Sequence, residues 1–228
     1  MTHDLDQTIR QRRSVRGFFP DRAVPPEVIR ECLELAQRAP SNCNVQPWQV
    51  YVASGAARDQ LKASLVKAIQ EGHLPDAEDG SAKFIGDHRR LQIDCAVSLY
   101  KEMGIARDDQ AGRIQAFTRN FEFFDAPHVA IVCMDRSYGV RVALDVGAWL
   151  QTFLLALWSR GVASVPQASL CTYPGIVRRE LGIPDEQRIL CGVSFGFEDP
   201  SVPANRTRQT REPLERNVRF VESAVAPD

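Results

Sequence analysis

Apolar residues recur at two spacings along this 228-residue chain. Leu5 and Ile9 stand one helical turn apart and predict a short first helix that ends near a basic cluster. In PPEVIRECLELAQRA, Val28, Ile29, Cys32, Leu33, Leu35 and Ala36 trace the apolar positions of a second helix, with Pro26 at its start and Pro40 as its stop. WQVYVAS, residues 48–54, alternates like a strand, and Leu61, Leu65 and Ile69 stripe a further helix. The chain turns polar and acidic from 73 to 88, then resumes helical spacing through LQIDCAVSLYKEM and RIQAFTRNFEFF. HVAIVCM, 128–134, is continuously apolar, as a strand buried on both faces would be. VALDVGAWLQTFLLALW, 142–158, is too short for a membrane span and carries Asp145 and Gln151, which predicts a buried core helix. A short strand GVASV, a helix opened by Pro174 and a last buried strand ILCGVSFGF follow. Without a repeat or a linker to divide it, the chain reads as one α+β domain over residues 1–228.

Composition narrows the function classes. Apolar content of 44% and charged content of 25% are ordinary for a soluble globular protein. A net charge of -1 argues against bulk electrostatic binding of nucleic acid or of a membrane, while leaving room for a local basic pocket. The six cysteines form no CxxC pair, and MTHDLDQTIRQRRS is polar where a secretory leader would be apolar. Free thiols in a cytoplasmic protein are expected. The four histidines lie far apart, so no metal site is expected.

Three polar segments could carry chemistry. RRSVRGF offers Arg12, Arg13, Ser14 and Arg16; guanidinium forks beside a hydroxyl suit a phosphate, although a solvated helix end has the same composition. APSNCNVQPW, 39–48, is too polar for a core strand and, with its Trp, too apolar for a plain surface loop. It could also be a helix-stop loop whose Ser and Asn bond to themselves. The tail carries Arg206, Arg208, Arg211, Arg216 and Arg219, but Glu212 and Glu215 interrupt them, which disfavours a nucleic-acid arm.

In their order and spacing these segments resemble the nitroreductase superfamily of FMN-dependent enzymes. The resemblance extends through FFDAPHVAIV, DVGAWLQTFLLALWSRG, VPQASLCTYPGIVRRELGIP and TREPLERNVRFV, and so covers nearly the whole chain. It implies a central, mostly antiparallel mixed sheet flanked by helices, with the C-terminal arm exchanged between the subunits of a homodimer. It also implies residue roles. Arg12 and Ser14 with Arg211, assisted by Arg208, correspond to the phosphate clamp, and Arg13 is expected among the cofactor-binding residues. Arg16 corresponds to the cation beside N1 and the C2 carbonyl of the isoalloxazine ring. Asn120 corresponds to a contact at the pyrimidine edge. Pro166 and Gln167 fix a loop whose Ala168 and Ser169 backbone N–H groups face N5. Ser41, Asn42 and Asn44 would reach the flavin held mainly by the partner, which accounts for the mixed character of APSNCNVQPW.

The 73–118 segment is longer than in smaller family members and resembles a lid over the flavin, with Tyr100, Lys101, Phe117 and Phe121 as candidate lining. The implied reaction takes hydride from NADH or NADPH and passes it to a small aromatic acceptor, nitro or quinone-like, with no obligatory catalytic side chain. Reductive dehalogenation, enoate reduction, flavin cleavage and a non-catalytic flavin-binding module share the same pattern.

Overall fold

The computed structural model describes residues 4–78 and 83–222; residues 79–82 of the 73–118 segment and 223–228 of the tail lie outside the described range. Four strands form one sheet in the order β1-β2-β4-β3: β1 (Gln49–Ser54), β2 (His128–Asp135), β3 (Ala163–Gln167) and β4 (Gln187–Gly196). Every strand pair is antiparallel. The sole parallel feature among the described residues is the isolated bridge Ser14↔Ser164. β2 is buried from His128 to Met134, as its unbroken apolar run requires, because helices cover both sides of it.

α6 (Val140–Ser159) and α2 (Pro26–Ala36) pack on one face of the sheet, and α3 (Gly55–Gln70) with α7 (Pro174–Leu181) on the other. α6 is 20 residues long, more than the apolar run by itself indicated, and is long and apolar enough to cross a membrane. Its Val146, Trp149, Phe153, Leu154 and Leu157 instead sink into this chain's own core. Trp149 is buried within the subunit, stacked on Phe153 with ring centres 5.3 Å apart.

Two helix ends depart from the sequence reading. α2 stops at Ala36, ahead of Pro40, and its C-cap residue Gln37 accepts a 2.7 Å bond from Trp48 Nε1. α5 (Gln110–Thr118) ends early in RIQAFTRNFEFF, since Phe123, Phe124 and Asp125 take φ of 57°, 53° and 66°. A left-handed residue costs about 1–2 kcal/mol. The turn sends Phe121, Phe123 and Phe124 into the core, where burying each contributes about 1.5–3 kcal/mol. Burial wins.

His128 illustrates a buried polar group that is fully used. Its Nε2 accepts the Val24 N–H at 2.9 Å, so the neutral ring carries its proton on Nδ1, facing Ser54 Oγ at 2.5 Å. Burial, aided by the Arg58 charge, pushes its pKa down to about 4. The unfolded chain binds this proton near pH 6.5 and the folded chain only near 4. Its contribution to stability is therefore complete above pH 6.5 and declines as pH falls through that window. Urea midpoints measured from pH 7 to 4 should fall for the wild type and fall less steeply for His128→Gln; equal slopes would refute this role.

Candidate cofactor and substrate site

After α1 (Leu5–Gln11) the basic segment runs beside β3, with the Val15 N–H donating to the Ser164 carbonyl at 3.1 Å. A buried amide then ties it to the far end of the chain. Arg16 N–H donates to Asn205 Oδ1 at 2.7 Å, and Asn205 Nδ2 donates to the carbonyls of Gly17 and Asp199, both at 2.8 Å. Gly17 permits this approach, since a Cβ there would stand 2.5 Å from Val202 Cβ. Asn205 escaped the sequence reading. A lone amide between Pro203 and Arg206 has the composition of a surface turn.

This tie brings Arg12 and Arg211 together. Burial first, and then the Arg211 charge, pull the Arg12 pKa below its ordinary value. Neither has a carboxylate partner among the described residues, and Arg211 donates only to the carbonyls of Gln209 and Thr210. Thr207 Oγ1, in the same tail segment, is buried without a partner. Two unneutralised guanidinium groups with an unused hydroxyl nearby in the chain fit a phosphate. Ser14 precedes this turn at the bridge to Ser164. Arg208 donates to the carbonyls of Asn205 and Thr207 at 2.8 and 3.0 Å. Arg13 is engaged elsewhere: its Nη2 donates to both Glu198 oxygens at 2.6 and 2.7 Å, and its guanidinium lies over Trp158.

Arg16 opens onto a cavity of about 230 Å³. Asn120 and Ala204 line it, as do Tyr100 from α4 (Gly86–Glu102), Met103 at that helix's C-cap and Phe117 from α5. Burial lowers the Arg16 pKa, and no carboxylate pairs with its guanidinium among the described residues. A buried cation left without a counter-charge suits a ligand that carries or develops negative charge. Of the candidate lid residues, Tyr100 and Phe117 line the cavity. Lys101 is exposed, and Phe121 belongs to the core, wedged between Phe117 and Tyr173.

Asn120 also joins the loop after β3. Its carbonyl accepts from Gln167 Nε2 at 2.8 Å and its Oδ1 from Ser169 Oγ at 3.2 Å, while Ser194 Oγ donates to Gln167 Oε1. Pro166 and Gln167 thus close β3 in a fixed position, and Ala168 and Ser169 begin a 3-10 turn that ends at Cys171.

Ser41, Asn42 and Asn44 lie apart from this cluster. Cys43, Asn44 and Gln46 all take positive φ, and Gln46 N–H donates to Ser41 Oγ at 3.0 Å. Asn42 N–H donates to Asp145 Oδ2 on α6 at 3.1 Å, so the stretch is pinned to the outer side of that helix. No hydrogen bond joins it to Arg12, Arg16 or Asn120 within one chain.

A profile described as the Nitroreductase family matches residues 9–197. The chain belongs to the nitroreductase family. It is 41% identical over 217 residues to a protein named nitroreductase NfnB from Mycolicibacterium smegmatis, covering 94% of this chain and 92% of that protein. It is 36% identical over 225 residues to a 4-nitrobenzoate reductase from Nocardioides, covering 95% and 90%. The crystal structure of the FMN-dependent nitroreductase NfnB from Mycobacterium smegmatis in complex with NADPH superimposes with a TM-score of 0.91 at 39% identity, covering 95% of this chain and 97% of that one. The nitroreductase fold expected for the sheet and its flanking helices is therefore observed.

Proposed function

We propose that this nitroreductase-family chain is an FMN-dependent NAD(P)H oxidoreductase that reduces small nitroaromatic or quinone-like molecules by two successive hydride transfers at one site. The carrying observation is the gathering, from four distant parts of the chain, of unpaired Arg12 and Arg211, unpaired Arg16, and the Asn120–Gln167–Ser169 group. A phosphate at one place, a developing negative charge at a second and a polar ring edge at a third are what these groups are suited to hold. FMN bound there would supply hydride acceptance and return. The chain's part is electrostatic and steric. Arg12, Ser14 and Arg211 hold the phosphate, with Arg208 and Thr207 beside them and Arg13 bracing Glu198. Arg16 holds positive charge near N1. Asn120 and Gln167 fix the loop that presents the Ala168 and Ser169 N–H groups to N5. NADPH is the favoured donor, supported by the NADPH complex of the similar NfnB, and the named 4-nitrobenzoate relative supports a nitroaromatic acceptor.

Homodimerisation follows from the same reading. Ser41, Asn42 and Asn44 are separated from the cluster in one chain but can serve a partner's site. Apolar side chains stand exposed around them, including Val45 at 54% and Leu144 at 72%, and Phe220 at 80% marks the arm that would cross over. The 73–118 segment then acts as a lid within a single domain. Free cysteines throughout suit a cytoplasmic setting. Light scattering should report a dimer when flavin is bound, and a flavin-loaded monomer would refute the shared site. The function itself is tested by steady-state turnover with NADPH across nitrobenzoates, quinones, iodophenols and enones. Parallel double-reciprocal lines with nitroaromatics or quinones as best acceptors support it; iodophenols or enones as best, with nitroaromatics inert, overturn it.

A further inference from the structure

The 73–118 segment gives Tyr100 and Phe117 to the cavity wall, while its opening stretch, 73–78, stands outside that cavity. This stretch forms a strap against the turn that follows β3. The Asp76 N–H donates to the Thr172 carbonyl at 3.1 Å, and the Thr172 N–H donates to the Ser169 carbonyl at 3.0 Å. A relay of hydrogen bonds thus runs from Asp76 to Ser169, and bonds in such a relay polarise and strengthen one another. Asp76 Oδ2 accepts from the Gly175 N–H at 3.2 Å, in the first turn of α7. Tyr173 at the N-cap of α7 makes no side-chain cap bond, so the strap supplies the acceptor that this helix end lacks. Gly175 admits the carboxylate closely, since a Cβ there would stand 2.7 Å from Asp76 Oδ2. Tyr173 Oη adds a bond to the His73 carbonyl at 3.2 Å.

The far end of the strap is anchored. Glu78 Oε1 accepts from Arg136 Nη2 at 2.7 Å and from Arg178 Nη2, and Arg178 Nη1 donates to the Pro184 carbonyl at 2.8 Å. Arg178 is buried, and breaking such a pair costs more than breaking an exposed one. The 168–175 turn is therefore held twice. Ser169 Oγ donates to Asn120 Oδ1 at 3.2 Å near its start, and Asp76 grips Thr172 and Gly175 near its end.

We propose that Asp76 is a positioning residue for hydride transfer: through the strap it fixes the 168–175 turn, and with it the direction in which the Ala168 and Ser169 N–H groups point at flavin N5. The inference rests on the reductase reading above, which gives those N–H groups their task. Asp76 acts only through the turn. A misplacement of about 1 Å far from the chemistry can cost about 10²-fold in rate, so a loosened turn has a measurable effect. Flavin affinity is governed elsewhere, by Arg12, Arg211 and their neighbours.

The test compares wild type with Asp76→Ala, Asp76→Asn, Gly175→Ala and the Asp76→Ala/Gly175→Ala double variant, with circular dichroism checking the fold. Amide hydrogen exchange over residues 168–175 is measured with and without FMN. The flavin midpoint potential and the rate of its reduction by saturating NADPH are measured on the FMN-loaded proteins. Asp76→Ala should speed exchange in the turn, shift the potential and slow flavin reduction by about tenfold, with the Kd for FMN and the KM for NADPH each within about twofold of wild type. Asp76→Asn keeps an acceptor for the Gly175 N–H and should recover most of the loss. Gly175→Ala displaces the carboxylate and should reproduce the loss, and the double variant should lose no more than either single one, because both break the same contact. Exchange unmoved by Asp76→Ala, faster exchange with rate and potential unchanged, or losses that add in the double variant would each overturn the assignment. If NADPH leaves the wild-type flavin oxidised, the reductase reading fails, and the exchange and potential shifts still decide the role of Asp76.

Discussion

Arg12→Ala and Arg211→Ala are each expected to weaken FMN binding by about 1.5–3 kcal/mol, roughly tenfold to a hundredfold, through loss of a charge-assisted phosphate contact. A second observable separates this from simple damage. Neither guanidinium group has a carboxylate partner among the described residues, and the Arg211 charge helps lower the Arg12 pKa, so in the flavin-free protein they repel. Removing either should leave the apoprotein at least as stable as wild type while reducing the extra stability that added FMN confers. Titration calorimetry and urea unfolding with and without FMN read both effects. Unchanged FMN affinity in both variants would refute the clamp, and a large loss of apoprotein stability would make these residues structural.

The second large effect concerns Arg16. Arg16→Gln keeps a polar side chain in the cavity but removes the cation that stands beside Asn120 with no carboxylate partner. Groups aimed at developing charge are worth about 10²–10³ in rate. Reduction of the bound flavin by NADPH should slow by about that factor, and its midpoint potential should become more negative. Flavin affinity should fall far less, since Arg16 N–H keeps its bond to Asn205 whatever the side chain. Stopped-flow reduction together with a redox titration checks this. A variant that loses flavin but, when resaturated, is reduced at the wild-type rate would show that Arg16 only binds.

The legible parts of this fold were those with strong local pattern. The second helix, the buried β2 run and the long apolar α6 are each recognisable because burial on one or both faces imposes a spacing on the residues themselves. The early end of α5 was not. RIQAFTRNFEFF has helical composition, and it breaks because three phenylalanines gain more in the core than the left-handed turn costs, a choice made by tertiary packing. The site divides in the same way. Arginines standing in short clusters announce an anion, whereas the tie that aligns them, Asn205, depends on a contact spanning 188 residues. Arg13 and Arg12 are indistinguishable as neighbours in a basic run. Only the fold shows that Glu198 and Trp158 occupy the first and leave the second unpaired.

The most direct measurement is an anaerobic two-step experiment on the purified FMN-loaded protein. NADPH is added at no more than one molar equivalent per flavin and is consumed, then one molar portion of 4-nitrobenzoate is mixed in while flavin absorbance is recorded. The account requires that NADPH bleach the flavin and that the nitroarene restore it, each step fast enough to sustain the steady-state rate. Flavin that binds but is not bleached by NADPH, or is bleached and then not restored by any nitroaromatic or quinone, would contradict it.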